Sequence, residues 1–175
     1  MSCSIEKKVD RLNVSLTFSR EQLLYDIKNY AYVESHVMSP DTEHARHMVA
    51  DVGEEGNVDR VTRVLDLGVA KCREMLYPWA KMSISNTEFN DTLQEQAQYR
   101  IDMTVPTTMS ETTLSFVERY IHEFLVCRGV SDWLSITNPQ KSEVWMEKAN
   151  EAEREIGRSI HSRVERTRIR QHWFK

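Results

Sequence analysis

Two short segments that alternate apolar and polar residues constrain the fold of this chain most. "LNVSLTF" (residues 12–18) and "YRIDMTV" (residues 99–105) each place every second, mostly apolar side chain on one face. A period of two is typical of a β-strand with one buried face. A single strand is not stable by itself, and these two lie far apart in an otherwise helical sequence. We therefore predict that residues 12–18 and 99–105 pair as a ribbon whose apolar face packs on helices.

The rest of the chain carries the signals of helices. Five glycines and four prolines among 175 residues are few, which favours long helices over a turn-rich β fold. Helix starts are indicated by Ser19 with Gln22, Ser39-Pro40, Asn57, Ser110 and Asn138-Pro139. Pro78 and Gly129 are predicted to end the third and fourth helices, and the final helix is predicted to reach about Arg166. The predicted fold class is mainly α: a helical bundle of about five helices with a small two-stranded β ribbon.

The order of these elements predicts one domain over residues 1–175. Its first half spans residues 9–78, a polar loop spans 79–96, the second half spans 97–166, and a basic, aromatic tail spans 167–175. Both halves contain a strand, a capped helix and a helix that starts with Ser-Pro or Asn-Pro, which suggests a pseudo-repeat. The alternative is that caps and prolines occur wherever a helical protein needs them.

Hydropathy and cysteine content indicate a cytoplasmic protein. No run of about 18 apolar residues is present, so no membrane span is expected. The N-terminal residues lack the apolar stretch of a signal peptide. Three widely spaced cysteines are typical of reduced thiols in a cytosol.

The segment "IHEFLVC" (residues 121–127) begins like the zinc-protease motif HExxH but does not complete it. His122 and Glu123 are present, whereas Val126 stands where the second histidine would be. Cys127 lies five residues from His122, about 140° around a helix, and cannot share one ion with it. We expect His122 to lie on the polar flank of an amphipathic helix, and its replacement by alanine to change stability little.

A second histidine cluster lies in "SPDTEHARHMVAD" (residues 39–51). Asp41, His44 and His47 are spaced by three residues, so their side chains can approach one another on a helix. These three residues are the candidate ligands of a metal site, and the hypothesis of a metal-dependent enzyme depends on them. A solvated helix start has the same composition, because acidic residues in the first turn favour the helix dipole.

Other catalytic signatures are incomplete or missing from the sequence. It contains neither a G-x-S-x-G elbow nor a C-x-x-C pair, and "DVGEEGN" follows a helix and is too acidic for a phosphate loop. Cys72 and Cys127 occupy apolar stripes and are predicted to be core thiols. Trp133 is predicted to be buried in a turn between the last two helices. We therefore predict no catalytic residue, no cofactor and no small-molecule substrate.

The C-terminal segment, residues 163–175 ("RVERTRIRQHWFK"), is the strongest candidate for partner binding. Residues 157–175 carry six Lys or Arg and one Glu, a net charge of +5. Because the net charge of the whole chain is −4, residues 1–156 carry −9. A basic segment with terminal aromatics suits an acidic protein surface, including that of a second copy. Nucleic acid is the alternative partner. The candidate partner-binding residues are Arg163, Arg166, Arg168, Arg170, Trp173 and Phe174.

The run "YRIDMTVP…ERYIHEFLVCRGVSDWLSITNP" resembles a pattern of small, mainly helical proteins of Bacteroidales prophages and related mobile elements. The pattern consists of a strand ending in V-P, a helix with Y-I-H-x-[FY]-L-V, and D-W-L-x-I-T-x-P, and it covers about residues 97–150. These are packing and capping residues, so the resemblance implies no catalytic assignment. It implies a virion-assembly component, for example near a head–tail connector or in tail completion.

Sequence and resemblance together favour a non-enzymatic structural or assembly protein that acts through protein–protein contacts and self-associates. The alternatives are a nucleic-acid-binding accessory protein that uses the C-terminal segment, and a metal-dependent enzyme at His44 and His47. Its expected location is the cytoplasm, or a virion if the chain is of phage origin.

Overall fold

The computed structural model describes residues 10–38, 43–81 and 96–162. Its elements, in chain order, are β1 (Arg11–Ser19), α1 (Arg20–Val37), α2 (Glu43–Ala50), a 3-10 turn (Asp51–Gly53), α3 (Glu55–Met75), α4 (Tyr77–Ala80), β2 (Gln98–Pro106), α5 (Glu111–Thr137) and α6 (Pro139–Ser162). The fold is mainly α with a two-stranded antiparallel sheet, which confirms the predicted fold class. The pseudo-repeat remains a prediction.

The β ribbon forms between the two alternating segments. β1 and β2 pair antiparallel, with Leu12 opposite Val105 and Phe18 opposite Tyr99. The alternating residues of β2 are all buried, as are Leu16 and Phe18 of β1. Leu12, near the start of β1, departs from the expected pattern because 54% of it is exposed. The ribbon is therefore confirmed, although its buried face does not extend to Leu12.

Serine side chains cap α1 and α5 as the sequence predicts. The Ser19 hydroxyl accepts a hydrogen bond from the Gln22 amide at 3.4 Å, and that of Ser110 accepts from the Thr112 amide at 3.2 Å. The predicted cap at Asn57 is wrong. The helix α3 begins at Glu55, and the Asn57 side chain donates instead to the Asp51 carbonyl at 2.8 Å.

Gly129 lies inside α5 and does not end it, which corrects the prediction. A Cβ atom at this position would come within 2.5 Å of Ile27 Cδ1 on α1. The absence of a Cβ atom at Gly129 therefore allows α1 and α5 to pack closely against each other. The helix continues to Thr137, and α6 starts at Pro139 as predicted.

Trp133 is buried, as predicted, but it lies within α5 and not in a turn. Only 6% of it is exposed, and its indole N–H donates to the Val49 carbonyl at the end of α2 at 2.8 Å. The turn between α5 and α6 lies at Asn138, five residues later. Trp133 therefore joins α5 to α2.

The central helix of the fold is α5, with α1, α2, α3 and α6 packed around it. Its residues Phe124–Cys127 are all buried, so it contacts neighbours on every side. The short helix α4 lies against β2, and it occupies the start of the loop that the sequence predicts from residue 79. Pro78 is compatible with the first turn of α4, because a backbone N–H in a first turn has no helical hydrogen-bond partner and proline lacks this group. Among the described residues, no helix has the length and apolarity to cross a membrane.

Candidate interaction surfaces

A line of polar side chains connects α1 to α5 and α6. His122 Nε2 lies 2.8 Å from Asp26 Oδ2, so the histidine has a carboxylate partner on another helix. The Trp145 indole N–H donates to Glu34 Oε1 at 3.0 Å, and Lys141 Nζ lies 3.4 Å from the other oxygen of Glu34. Neither pair is predictable from local sequence, because 96 residues separate Asp26 from His122 and 111 residues separate Glu34 from Trp145. Only the packing of α1 beside α5 and α6 brings them together.

Two ionisable groups beside this line, Cys127 and Tyr30, are held in their neutral forms. Burial, followed by the charge of the neighbouring Glu123 carboxylate, raises the pKa of the Cys127 thiol to about 12. The pKa of Tyr30 is raised chiefly by Glu123, and also by burial. A protonated thiol is a poor nucleophile, so Cys127 behaves as the core thiol that the sequence predicts. Burial likewise raises the pKa of Cys72 to about 12.

The rings in this region pack against each other and stabilise the helix contacts. Tyr30 and Trp145 lie with ring centroids 4.9 Å apart, and the Lys148 ammonium lies 3.8 Å from the Trp145 centroid. Trp145 is itself buried. These contacts resemble a packed helix interface more than a substrate pocket.

The histidines of α2 lie at the surface. His47 Nε2 lies 3.9 Å from Glu43 Oε1, both side chains are largely exposed, and His44 is exposed as well. Asp41, the third residue of the metal hypothesis, lies outside the described residues. In residues 10–38, 43–81 and 96–162, no three His, Cys, Asp or Glu side chains lie close enough together to hold a metal ion.

An open groove lies over α5 between α3 and α6. Its volume is about 190 Å³, and the apolar part of its lining includes Leu67 on α3 and Met146 on α6. Leu67 is 65% exposed. Arg128 and Asp132 of α5 add charge to the groove, and Asp132 pairs with Arg60 at 2.9 Å. We name this surface the α3/α6 groove.

The outward side of α1 is a second exposed apolar surface. The side chains on its inner face, Leu23, Ile27 and Ala31, are fully buried. Large apolar side chains nevertheless recur on the side that faces away from the bundle. They are Tyr25, Tyr32, Val33 and Val37. All four remain more than half exposed in the part of the chain that the structure describes, although Tyr32 also lines a concavity with Arg46 and His47 of α2.

The predicted partner-binding residues Arg163, Arg166, Arg168, Arg170, Trp173 and Phe174 all lie outside the described residues, which end in α6 at Ser162. The direction of α6 nevertheless fixes where the C-terminal segment begins. It follows the end of α6 that is remote from the turn at Asn138.

The chain matches no protein-family model, and neither curated proteins nor solved structures show significant similarity to it.

Proposed function

We propose that this protein is a non-enzymatic assembly protein that acts through protein–protein contacts, including contacts with further copies of itself. The observation that carries the proposal is the α3/α6 groove, an open surface with exposed Leu67 and Met146 at its sides. Large exposed apolar side chains around a concavity are typical of a binding site for a protein segment.

The size of the groove suits one aromatic side chain. A cavity of about 150 Å³ in another protein holds a benzene ring, and the α3/α6 groove measures about 190 Å³. The C-terminal segment supplies two candidates, Trp173 and Phe174. Glu143 lies exposed beside Met146 on α6 and is an acidic group for the arginines of that segment, whereas the neighbouring Glu147 already pairs with Arg154 at 2.9 Å.

Insertion of this segment into the groove of a second copy joins two different surfaces. Such heterologous contacts generate rings when the rotation closes and filaments when it does not. A ring or a stacked assembly is consistent with the virion-assembly role, near a connector or in tail completion, that the resemblance implies. The segment is also long enough to fold back on its own chain, since 13 residues reach roughly 43 Å when extended.

Deletion of residues 163–175 tests this function. We expect the deletion to lower the mass measured by light scattering while circular dichroism shows an intact helical bundle. Leu67→Glu should have the same effect, because it places a charge in the groove at an exposed position that folding does not depend on. Tyr77→Glu, on α4 and 57% exposed, is the matched control and should leave the mass unchanged.

Other outcomes of this experiment support the alternatives. An unchanged mass combined with altered fluorescence of Trp173 in Leu67→Glu would indicate fold-back within one chain. A monomer that binds DNA at low salt, and loses that binding when the segment is deleted, would favour the nucleic-acid hypothesis. One zinc or iron ion per untagged chain, lost in His44→Ala, would favour the metal-dependent enzyme.

A further inference from the structure

The hydrogen bonds at the two ends of the β ribbon show which backbone groups point away from it. The Arg20 N–H donates to the Ala97 carbonyl and the Thr107 N–H donates to the Asp10 carbonyl, each at 3.1 Å. Both bonds continue the register of the β1–β2 ladder. Because hydrogen-bonded pairs alternate along an antiparallel ladder, the even-numbered residues of β1 bond to β2. The odd-numbered residues of β1 and the even-numbered residues of β2 therefore direct their backbone groups to the two outer edges.

The outer edge of β2 is covered. Arg73 of α3 donates from Nη2 to the outward carbonyl of Arg100 at 2.8 Å. Pro106, at the end of β2, has no N–H to offer, and α4 packs against the strand. Such features prevent a further strand from pairing at an edge.

The outer edge of β1 is open. The outward N–H and C=O groups of Asn13, Ser15 and Thr17 have no hydrogen-bond partner in the part of the chain that the structure describes, and their side chains are exposed. The register with β2 runs through all nine residues without a bulge. These three residues are uncharged, and none is proline, so β1 lacks the usual protection of an edge strand. Unpaired backbone groups in this arrangement are a template for another strand.

We propose that β1 of one copy pairs antiparallel with β1 of a second copy, so that two ribbons form one four-stranded sheet in the order β2–β1–β1–β2. The inference rests on the self-association in the proposed function, and it names a surface separate from the α3/α6 groove. Two strands are few for a sheet, whereas four are common. The contact is isologous, with its two-fold axis at Ser15.

The apolar face of β1 is complementary to itself when one strand is reversed. With the axis at Ser15, Leu12 lies opposite Phe18 of the partner subunit, and Val14 lies opposite Leu16 of the partner subunit. Within one chain Leu12 is 54% exposed and Val14 is half-buried, whereas Leu16 and Phe18 are buried. Reversal thus places the uncovered end of each strand beside the covered end of the other. Cover for Leu12 is the reason to assign this edge to a second copy.

The solvent face of β1 suits the same register. Asn13 lies opposite Thr17 of the partner subunit, and the ribbon already contains an Asn–Thr pair of this kind, in which the Thr104 hydroxyl donates to Asn13 Oδ1 at 3.0 Å. That bond leaves the side-chain N–H groups of Asn13 for the hydroxyl of Thr17 of the partner subunit. Arg11 lies opposite Ser19 of the partner subunit, so this pairing opposes no like charges.

The length of the strand indicates how strong the association should be. Nine residues make a contact roughly 30 Å long. One outward N–H from each of Asn13, Ser15 and Thr17 in both copies gives about six hydrogen bonds. A contact through one strand lies at the low end of specific interfaces, which bury about 800 Å² on each partner. We therefore expect a dimer that dissociates on dilution.

Proline substitution at the edge tests the proposal in the full chain carrying Leu67→Glu, which removes the groove contact. Sedimentation should show that this chain is a dimer. Adding Ser15→Pro should make it monomeric, because the proline removes an outward N–H at the axis and no bond to β2. Thr104→Pro is the matched control, since it removes an outward N–H from the edge of β2, and it should leave the dimer intact. Circular dichroism checks that each variant is folded.

A charge at the axis is the second test, should the proline variant fail to fold. Ser15→Lys brings two like charges together in the dimer and should also give a monomer, whereas Thr104→Lys should not. A dimer that persists in Ser15→Lys, or a Leu67→Glu chain that is monomeric at every concentration, overturns the proposal. A dimer of unchanged mass with and without Leu67→Glu would instead count against the groove contact of the proposed function alone.

Spin labels test the direction of the strands, on a background with Cys3→Ser, because Cys72 and Cys127 are buried. Labels at Ser15→Cys should lie close together across the axis and broaden each other's spectra. Labels at Arg11→Cys should be about 26 Å apart, which corresponds to eight residues at about 3.3 Å each. Double electron–electron resonance measures that distance. Short distances at both positions would show a parallel pair and overturn the antiparallel assignment.

Discussion

Helices α1 and α5 both carry apolar residues around much of their circumference, but α5 is covered on all sides over residues 124–134, whereas no part of α1 is. Every side chain from Phe124 to Cys127 is buried, in line with the place of α5 at the centre of the bundle. On α1 the inner face is buried to the same degree, whereas Tyr25 and Tyr32 remain exposed. The same kind of sequence pattern thus serves the core in one helix and is left uncovered in the other.

The difference separates two roles for apolar residues. Burying a large apolar side chain stabilises a fold by about 1.5–3 kcal/mol, and α5 obtains that stabilisation on all its faces over residues 124–134. The outer tyrosines of α1 contribute little to a single folded chain because they stay in contact with water. Substitutions in α5 should therefore change stability, and substitutions on the outer side of α1 should change it little.

The largest expected contrast concerns thiol reactivity. Cys127 has its pKa raised from 9.0 to about 12, so its thiolate fraction at pH 8 is about a thousandfold below that of an exposed cysteine. The variant Asn29→Cys supplies that exposed cysteine on α1. Alkylation by iodoacetamide, followed by peptide mass spectrometry, should modify the thiol introduced at position 29 rapidly and Cys127 only after unfolding. Equal rates at the two positions in the folded protein would contradict the burial of Cys127.

The same pKa shift predicts a dependence of stability on pH. A thiol whose pKa is higher in the folded state stabilises the fold fully below pH 9, and this contribution is lost as the pH rises from about 9 to about 12. Urea midpoints should fall over that range, and less so in Cys127→Ala. An equal fall in both proteins would assign the effect to other groups.

Trp133→Ala should cost about 3–5 kcal/mol, as expected for deletion of a large core aromatic. Trp133→Phe should cost less, about 1–3 kcal/mol, because it retains a ring but leaves the Val49 carbonyl without its donor. Urea unfolding followed by circular dichroism measures both values. A cost near zero for the alanine variant would contradict the role of Trp133 in joining α5 to α2.

Two glycines in long helices provide the next comparison. Gly129→Ala should destabilise by about 1–3 kcal/mol, because the added methyl group collides with the fully buried Ile27. Gly157→Ala should stabilise by about 0.5–1 kcal/mol, since a Cβ there meets no atom within 4 Å and alanine favours helix. Changes of the same sign in both variants would show that helix propensity outweighs packing at Gly129.

His122→Ala should cost about 0.5–1.5 kcal/mol, the usual net contribution of one hydrogen bond. The two side chains of this pair are 32% and 25% exposed. A double-mutant cycle with Asp26→Asn isolates their interaction. A coupling well above that range would mean that the pair is a main link between α1 and α5.

The smallest expected effect concerns Tyr25→Ala and Tyr32→Ala. At concentrations low enough to keep the chain monomeric, each should change the free energy of unfolding by less than about 0.5 kcal/mol. A loss of several kcal/mol from either variant would show that these tyrosines belong to the fold, and would remove the contrast with α5.

Local sequence patterns predict much of this fold because their causes are local. Alternation of residues 12–18 and 99–105 identifies both strands, and a strand needs a partner, so their pairing follows. Ser19 and Ser110 cap helices through amides two or three residues away. Gly129 misleads because a glycine serves either a helix end or a close helix contact, and no residue near it in sequence indicates that Ile27 lies beside it.

The candidate sites were harder to predict than the fold. The arginines and aromatics of residues 163–175 lie outside the described residues and stay a prediction. The α3/α6 groove joins Leu67 to Met146, which are far apart in sequence and come together only because both α3 and α6 pack on α5. The Asp26–His122 pair depends on the same kind of long-range packing.

Periodicity and capping act over a few residues, and for that reason the amino-acid order was enough to establish the two strands, the serine-capped helix starts and the burial of Trp133. Long-range packing was needed to establish that α5 continues past Gly129 and that His122 faces Asp26. The exposure of Tyr25 and Tyr32 on α1 is a result of the same packing. These features depend on which helix faces become neighbours, and the free energy that selects neighbours comes from burial summed over the whole bundle.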